Sequence, residues 1–259
     1  MSAHPRLPRI AALGARAGLV LTILGALTLV LSGAGSRWDW WDFRTGFVLF
    51  RWALYGGLGA IVITLAGLVL ALLARAGRAA LLSLATLALL AAVAAVPMTH
   101  LRAAGRVPPI HDITTDLDDP PRFMAVLPRR QGAPNPAEHG GAALAAQQRE
   151  GYPDLGPARF GEPPDRVFAR AVEVARALGW EIVAAVPADG RLEATDRTRW
   201  FGFRDDVVVR VRPDGAGTRV DIRSVSRVGR SDLGTNARRI RGFVDTLRAA
   251  RPGEAVAPR

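Results

Sequence analysis

Three apolar runs joined by short arginine-bearing segments constrain this chain more than any other feature in it. A bilayer core takes about 20 largely apolar residues in helical form. Residues 17–34 supply one such run, residues 47–73 a second with Arg51 near its start, and residues 79–98 a third that Pro97 should close. Core helices of globular proteins rarely stay uncharged for so long. The pattern predicts a membrane domain over residues 1–106, a soluble domain over 107–249 and a disordered tail over 250–259.

Only Arg75-Ala-Gly-Arg78 separates the second and third runs, so they should form a tight antiparallel hairpin. Arginine placement sets orientation. Arg6, Arg9, Arg16, Arg75 and Arg78 fall on one side; Arg37, Arg44, Arg51, Arg102 and Arg106 fall on the other. The tie is broken by the first helix and the very short turn. The expectation is a bacterial inner-membrane protein with a cytoplasmic N-terminus and a periplasmic C-terminal domain. Trp38, Trp40, Trp41 and Phe43 read as an interfacial aromatic belt, and Gly14 with Gly18 as a small-residue packing pair. Ser32-Gly33-Ala34 resembles a signal cleavage site, but two further spans follow directly, so retention of the first helix is expected.

The net charge of +11 invites a nucleic-acid reading. Residues 1–107 hold ten Arg and two acidic residues, or +8, while residues 108–259 hold 24 Arg and 21 acidic residues, or +3. Most of the excess therefore flanks the apolar runs, and the soluble domain lacks the basic footprint of a nucleic-acid binder. All 34 basic residues are arginine, a bias that lowers the weight of each one. With no Cys, disulfides, thiolate-bound zinc and thiol nucleophiles are all excluded.

From Val107 the texture turns polar and proline-rich, and residues 108–135 read as extended chain and turns. Residues 137–149 could form a short helix. Residues 165–178 form a clear amphipathic helix, with Val167, Phe168, Ala171, Val172, Ala175 and Leu178 on one face. Strand-like runs follow at 180–186, 191–195, 198–203, 207–212 and 219–226. Val207, Val209 and Val211 alternate with Val208, Arg210 and Arg212, the signature of a sheet with one buried face. Pro213-Asp214-Gly215 predicts a turn, and residues 235–250 a last helix. The fold class is thus multi-pass membrane helices followed by an α+β domain, an antiparallel sheet with helices packed on one face.

Several separated motifs are familiar together. They are the run from Pro108 through His111-Asp-Ile-Thr-Thr-Asp116 to Phe123, Tyr152-Pro-Asp-Leu155, Trp200-Phe-Gly-Phe203-Arg-Asp-Asp206, and Ser226-Arg-Val-Gly-Arg-Ser-Asp-Leu-Gly-Thr-Asn236. Over about residues 107–249 the chain resembles the bacterial domain-of-unknown-function family numbered 1499. The resemblance implies frequent membrane anchoring and no assigned activity, and it carries over no site residues.

Two segments offer candidate chemistry. His111, Asp112, Asp116, Asp118 and Asp119 could be ligands for a hard cation, but their spacing fits no recognised metal motif and they also suit ordinary turns. No metal or cofactor is expected. Arg227, Arg230, Ser231, Asp232 and Asn236 precede the last helix. Ser231, Asp232 or Thr235 should cap it; alternatively the arginines and free N–H groups could hold an anion such as a lipid headgroup. No nucleophile-elbow sequence surrounds Ser231, and His111 is the candidate base of any hydrolase. The functional expectation is a non-enzymatic, membrane-tethered domain that binds a small anionic or amphipathic ligand or a protein partner. An extracytoplasmic hydrolase using His111 and nearby carboxylates is the alternative.

Overall fold

The computed structural model describes residues 6–105 and 107–250. These divide into two compact units, one running up to Leu101 and including Arg199–Gly202, the other holding the remaining residues from Arg102 onward. The expected disordered tail over 250–259 lies outside the described residues except for Ala250, whose amide donates to Thr246 O.

The first unit contains α1 (Leu7–Arg37), α2 (Phe43–Leu73) and α3 (Gly77–Ala104) as far as Leu101. All three are long and apolar enough to cross a membrane, so the chain is membrane-associated. Each is longer than its apolar run, because a helix continues past the hydrocarbon into its polar flanks. Pro97 lies inside α3 rather than closing it; its missing N–H costs one helical bond and does not end this helix. Helices α1 and α2 meet through small residues. A Cβ on Gly14 would sit 3.2 Å from Gly67 Cα, and one on Gly18 would overlap the Thr64 hydroxyl. Ala11, Ala15, Ala60 and Ala71 are buried as well. Without a hydrophobic drive between helices in lipid, close backbone approach supplies the attraction. The hydroxyls of Thr22 and Thr64 donate to Gly18 O and Ala60 O within their own helices, so neither hydroxyl is left unmatched.

Asp42 caps α2 by accepting from the Arg44 and Thr45 amides. In the α1–α2 loop the Trp38 and Trp40 rings lie 5.0 Å apart and both are exposed. Arg199–Gly202 forms a turn in this unit, where the sequence predicts a strand over 198–203. The Ser36 hydroxyl donates to Phe201 O, and Phe201 lies 5.0 Å from Phe47. Gly202 adopts φ +68, and a Cβ there would approach Arg37 Cα to 2.7 Å. Local composition suggests β structure, but these contacts decide otherwise.

The second unit is an antiparallel sheet in the order β1-β6-β5-β4-β3, with β2 also paired to β6. Its strands are β1 (Asp112–Thr114), β2 (Ala158–Phe160), β3 (Glu181–Val186), β4 (Arg191–Arg197), β5 (Arg204–Asp214) and β6 (Gly217–Ser226). Strand β5 runs through Pro213 and Asp214, and the hairpin turns at Gly215 (φ +59) one residue later than the sequence suggests. Helices α4 (Gly141–Gly151), α5 (Pro164–Ala177) and α6 (Thr235–Ala249) complete the unit.

Pro164 presets the first turn of α5. The helix ends in a Schellman motif, the Gly179 amide donating to Arg176 O and the Trp180 amide to Ala175 O. Val167, Ala171, Val174 and Ala175 of α5, with Ile240, Phe243 and Leu247 of α6, close over Leu192, Val207, Val209, Val220 and Ile222 of the sheet. Trp180 stacks on Phe243 with centroids 5.0 Å apart.

The opposite face departs from the one-buried-face expectation. Asp206, Glu193 and Asp221 are each 0% exposed and Arg223 2%, because residues 115–139 lie across them. A small apolar patch of Phe123, Val126, Val208 and Val225 sits among these charges.

Candidate functional site

The two candidate segments are neighbours. The Ser226 amide and the Asn236 side chain both donate to His111 O, and the Asp232 amide donates to Ile110 O. The His111 ring nitrogen Nδ1 lies 3.4 Å from Arg230 O. Strand β1 places this junction by pairing Asp112 with Val225 of β6.

Most of the candidate side chains are bound within the protein. Asp112 accepts from Arg223 Nε at 2.9 Å and Nη2 at 2.7 Å, a buried bidentate pair. Asp116 accepts from Arg219 at 2.6 Å and Arg210 at 2.9 Å. Burial pushes the Asp116 carboxyl up, but the Asp119 and Asp118 amides and the two guanidinium groups outweigh it and hold it below its usual value. Arg227 grips Asp206 through Nε at 2.9 Å and Nη2 at 2.8 Å.

At the entry to α6, Asp232 accepts from the Gly234 and Asn236 amides, and Ser231 Oγ accepts from Leu233 N. Asp232, two residues before the left-handed Gly234, thus supplies the cap that Gly234 itself cannot. It occupies the donors that an anion at this helix start would use. Burial raises the Asp232 carboxyl above its usual range despite those two amides. Asn236 is fully enclosed, receiving from Ser224 and Arg239 and donating to Ser226. Arg230 is exposed and among the described residues has no ion-pair partner, while His111 and Ser231 are half-buried. Asp118 and Asp119 are exposed, and no group of three or more His, Cys, Asp or Glu among the described residues could hold a metal.

Sequence reasoning misses the larger lattice to which these residues belong. Glu193 accepts from three successive amides, Met124, Ala125 and Val126, at 2.9–3.1 Å and also pairs with Arg191. Arg130 joins Arg227 on Asp206 and donates to the Asn135 and Pro136 carbonyls. Asp221 meets Arg210, Arg212 and Arg219. Arg223 also donates to Pro121 O and Ala137 O. Phe123 lies beneath the guanidinium groups of Arg223 and Arg130, 5.3 and 5.9 Å from its centroid. Across the sheet, Asp205 pairs with Arg239, and burial drives its carboxyl upward.

His139, which no sequence motif singles out, is the more enclosed histidine. Its Nδ1 accepts from the Gly141 amide, and its Nε2 is buried without a hydrogen-bond partner among the described residues. Burial lowers its pKa first; Asp112 opposes and Arg223 adds to that shift. Tyr152 is another enclosed titratable group, its phenol pushed up to about 12 by burial and then by Asp232. The available signal for the lattice is the arrangement of alternate Arg and Asp along β5 and β6, but a polar row also fits a solvated face.

A solved structure, that of TTHA0849 from Thermus thermophilus, is similar at 15% identity and a TM-score of 0.23, covering 36% of this chain and 95% of that one. None of the curated proteins matches. Residues 112–247, more than half of the chain, match the family described as "Protein of unknown function (DUF1499)", and the chain belongs to that family.

Proposed function

We propose that this protein is a membrane-anchored binding module, not an enzyme. Its ligand is small and anionic or amphipathic, met where the 110–112 and 226–232 segments join. The observation that carries this reading is the engagement of the candidate catalytic carboxylates. Asp112 is held by Arg223, Asp116 by Arg210 and Arg219, and Asp232 by two amides. General acid–base chemistry needs a group able to exchange a proton with substrate. The outward groups at this junction are the Arg230 guanidinium, the exposed edge of His111 and the Ser231 hydroxyl, a set suited to an anionic oxygen. Of the other candidate residues, Asp112, Asp116 and Asn236 are buried and Arg227 is tied to Asp206.

Native mass spectrometry of the full chain, gently extracted, tests the proposal. A co-purified anionic molecule should be lost or reduced at least about a hundredfold in an H111Q/R230Q double variant, since each charge-assisted bond is worth about 1.5–3 kcal/mol. Hydrolysis of a generic ester or phosphate panel that His111→Ala abolishes would instead establish the hydrolase reading. We also propose a cytoplasmic N-terminus and a periplasmic second unit in a bacterial inner membrane, supported by Arg6, Arg9 and Arg16 before the first apolar run and by the very short arginine-bearing turn between α2 and α3, which break an even tally of five arginines a side. An alkaline phosphatase fusion near residue 110 should be active; a well-expressed but inactive fusion reverses the orientation.

A further inference from the structure

Helix α2 has 31 residues, about 46 Å at 1.5 Å per residue, against a hydrocarbon core of about 30 Å. Its uncharged stretch runs from Trp52 to its end at Leu73, 22 residues or about 33 Å. That length alone fills the apolar layer, so Arg51 falls at its boundary, where phosphate groups lie.

Arg51 is exposed and among the described residues has no carboxylate partner. The nearest acid in sequence, Asp42, is occupied by the Arg44 and Thr45 amides. Helical spacing places Arg44, Val48, Arg51, Tyr55, Leu58, Val62 and Leu65 on one face, and all seven are exposed. Trp52, beside Arg51, is 62% exposed and meets the Tyr55 ring edge-on at 6.0 Å. From its charged end inward, the face therefore carries two cations, two amphipathic rings, then aliphatic side chains. Gly59 lies beside this face, next to the Tyr55 and Trp52 positions, and a Cβ there would meet nothing within 4 Å. Helix packing does not require this glycine, unlike Gly67, whose Cβ would press on Ala15 N at 3.0 Å.

We propose that this face of α2 binds one anionic phospholipid. Its phosphate would sit on the Arg51 guanidinium, whose planar fork matches phosphate oxygens. Trp52 and Tyr55 would lie at the glycerol level, and an acyl chain would run along Leu58, Val62 and Leu65. Charge complementarity selects the occupant: two arginines with no acid on the same face favour a headgroup of net negative charge. This site is on the helical unit and is independent of the binding surface proposed around His111.

The test is native mass spectrometry of the full chain released from nanodiscs, comparing phosphatidylglycerol with phosphatidylcholine. The wild type should retain phosphatidylglycerol at least about fivefold more than phosphatidylcholine. Arg51→Gln should abolish that preference, and Arg51→Lys should restore part of it. A G59L variant, with every charge kept, should lower retention of both lipids; unchanged circular dichroism and membrane insertion provide the folding control. Equal retention of the two lipids by the wild type, or an undiminished preference in Arg51→Gln, overturns the proposal. Efficient dimer cross-linking through Trp52→Cys in phosphatidylglycerol nanodiscs would overturn it too, by placing a second copy on this face.

Discussion

Along β5, Val207, Val209 and Val211 turn towards α5 and α6, while Asp206 and Arg210 on the alternate positions meet residues 115–139. The same strand thus carries two coverings held by different physics. The helical side is closed by apolar burial, which is non-directional and tolerates local repacking. The other side is closed by guanidinium–carboxylate pairs and amides on Glu193, which work only in one arrangement. Desolvating such pairs costs nearly as much as their attraction returns. The charged face consequently fixes the path of the covering segment more than it adds stability, and that distinction can be broken by substitution.

The largest effect is expected from leaving one buried charge alone. Arg223→Ala should destabilise the second unit by about 3–5 kcal/mol, because Asp112 would stay buried without its cation. Chemical denaturation followed by tryptophan fluorescence would measure it. The double variant D112L/R223M should recover most of that loss, since an apolar pair of similar volume is often neutral. If the double is as damaged as the single, the charged face contributes stability as well as placement, and the contrast between faces weakens.

On the apolar side, Ile240→Val should cost about 0.5–1.5 kcal/mol, the usual result of removing one buried methylene. A larger loss would show that this face is as specific as the other.

Acid should discriminate the faces next. His139 is the last residue of the covering segment, and burial holds its pKa below the usual imidazole value of 6.5. A depressed imidazole contributes stability that is present above that value and lost as pH falls through it towards the folded pKa. Stability should therefore drop between neutral pH and mildly acidic pH, and less so in His139→Gln, in parallel urea titrations. An unchanged acid sensitivity would remove His139 from the account. The smallest effect belongs to the exposed rim: Arg149 meets Asp118 at 3.4 Å, and Arg149→Ala should stay within about 0.5 kcal/mol of wild type.

The legibility of the fold follows the same division. Val167, Phe168 and Ala171 announce α5, and the valines of β5 announce the inner face, because both signals are local periodicities. The Gly14 and Gly18 pair likewise reaches its partners, Gly67 and Thr64. The candidate site is legible only as two segments. Their junction is not, since it depends on His111 O meeting Ser226 and Asn236 over separations of more than a hundred residues. Nor is the enclosure of His139 legible, because its Nε2 is buried only once residues 115–139 are laid down. Residues 198–203 mislead for the opposite reason: aromatic β-formers become a turn when Phe201 meets Phe47 and Gly202 meets Arg37.

By itself the sequence determined three membrane-length helices, an α+β domain after them, the helices on one sheet face and the family. Each depends on run length, periodicity or motif order, which survive without knowledge of distant neighbours. Tertiary structure alone decided that the polar face is covered and which arginine meets which carboxylate. Any of 34 identical cations could pair with any of 23 acids by charge. Only the antiparallel register, placing Val208 opposite Arg223 and Arg210 opposite Asp221, selects among them.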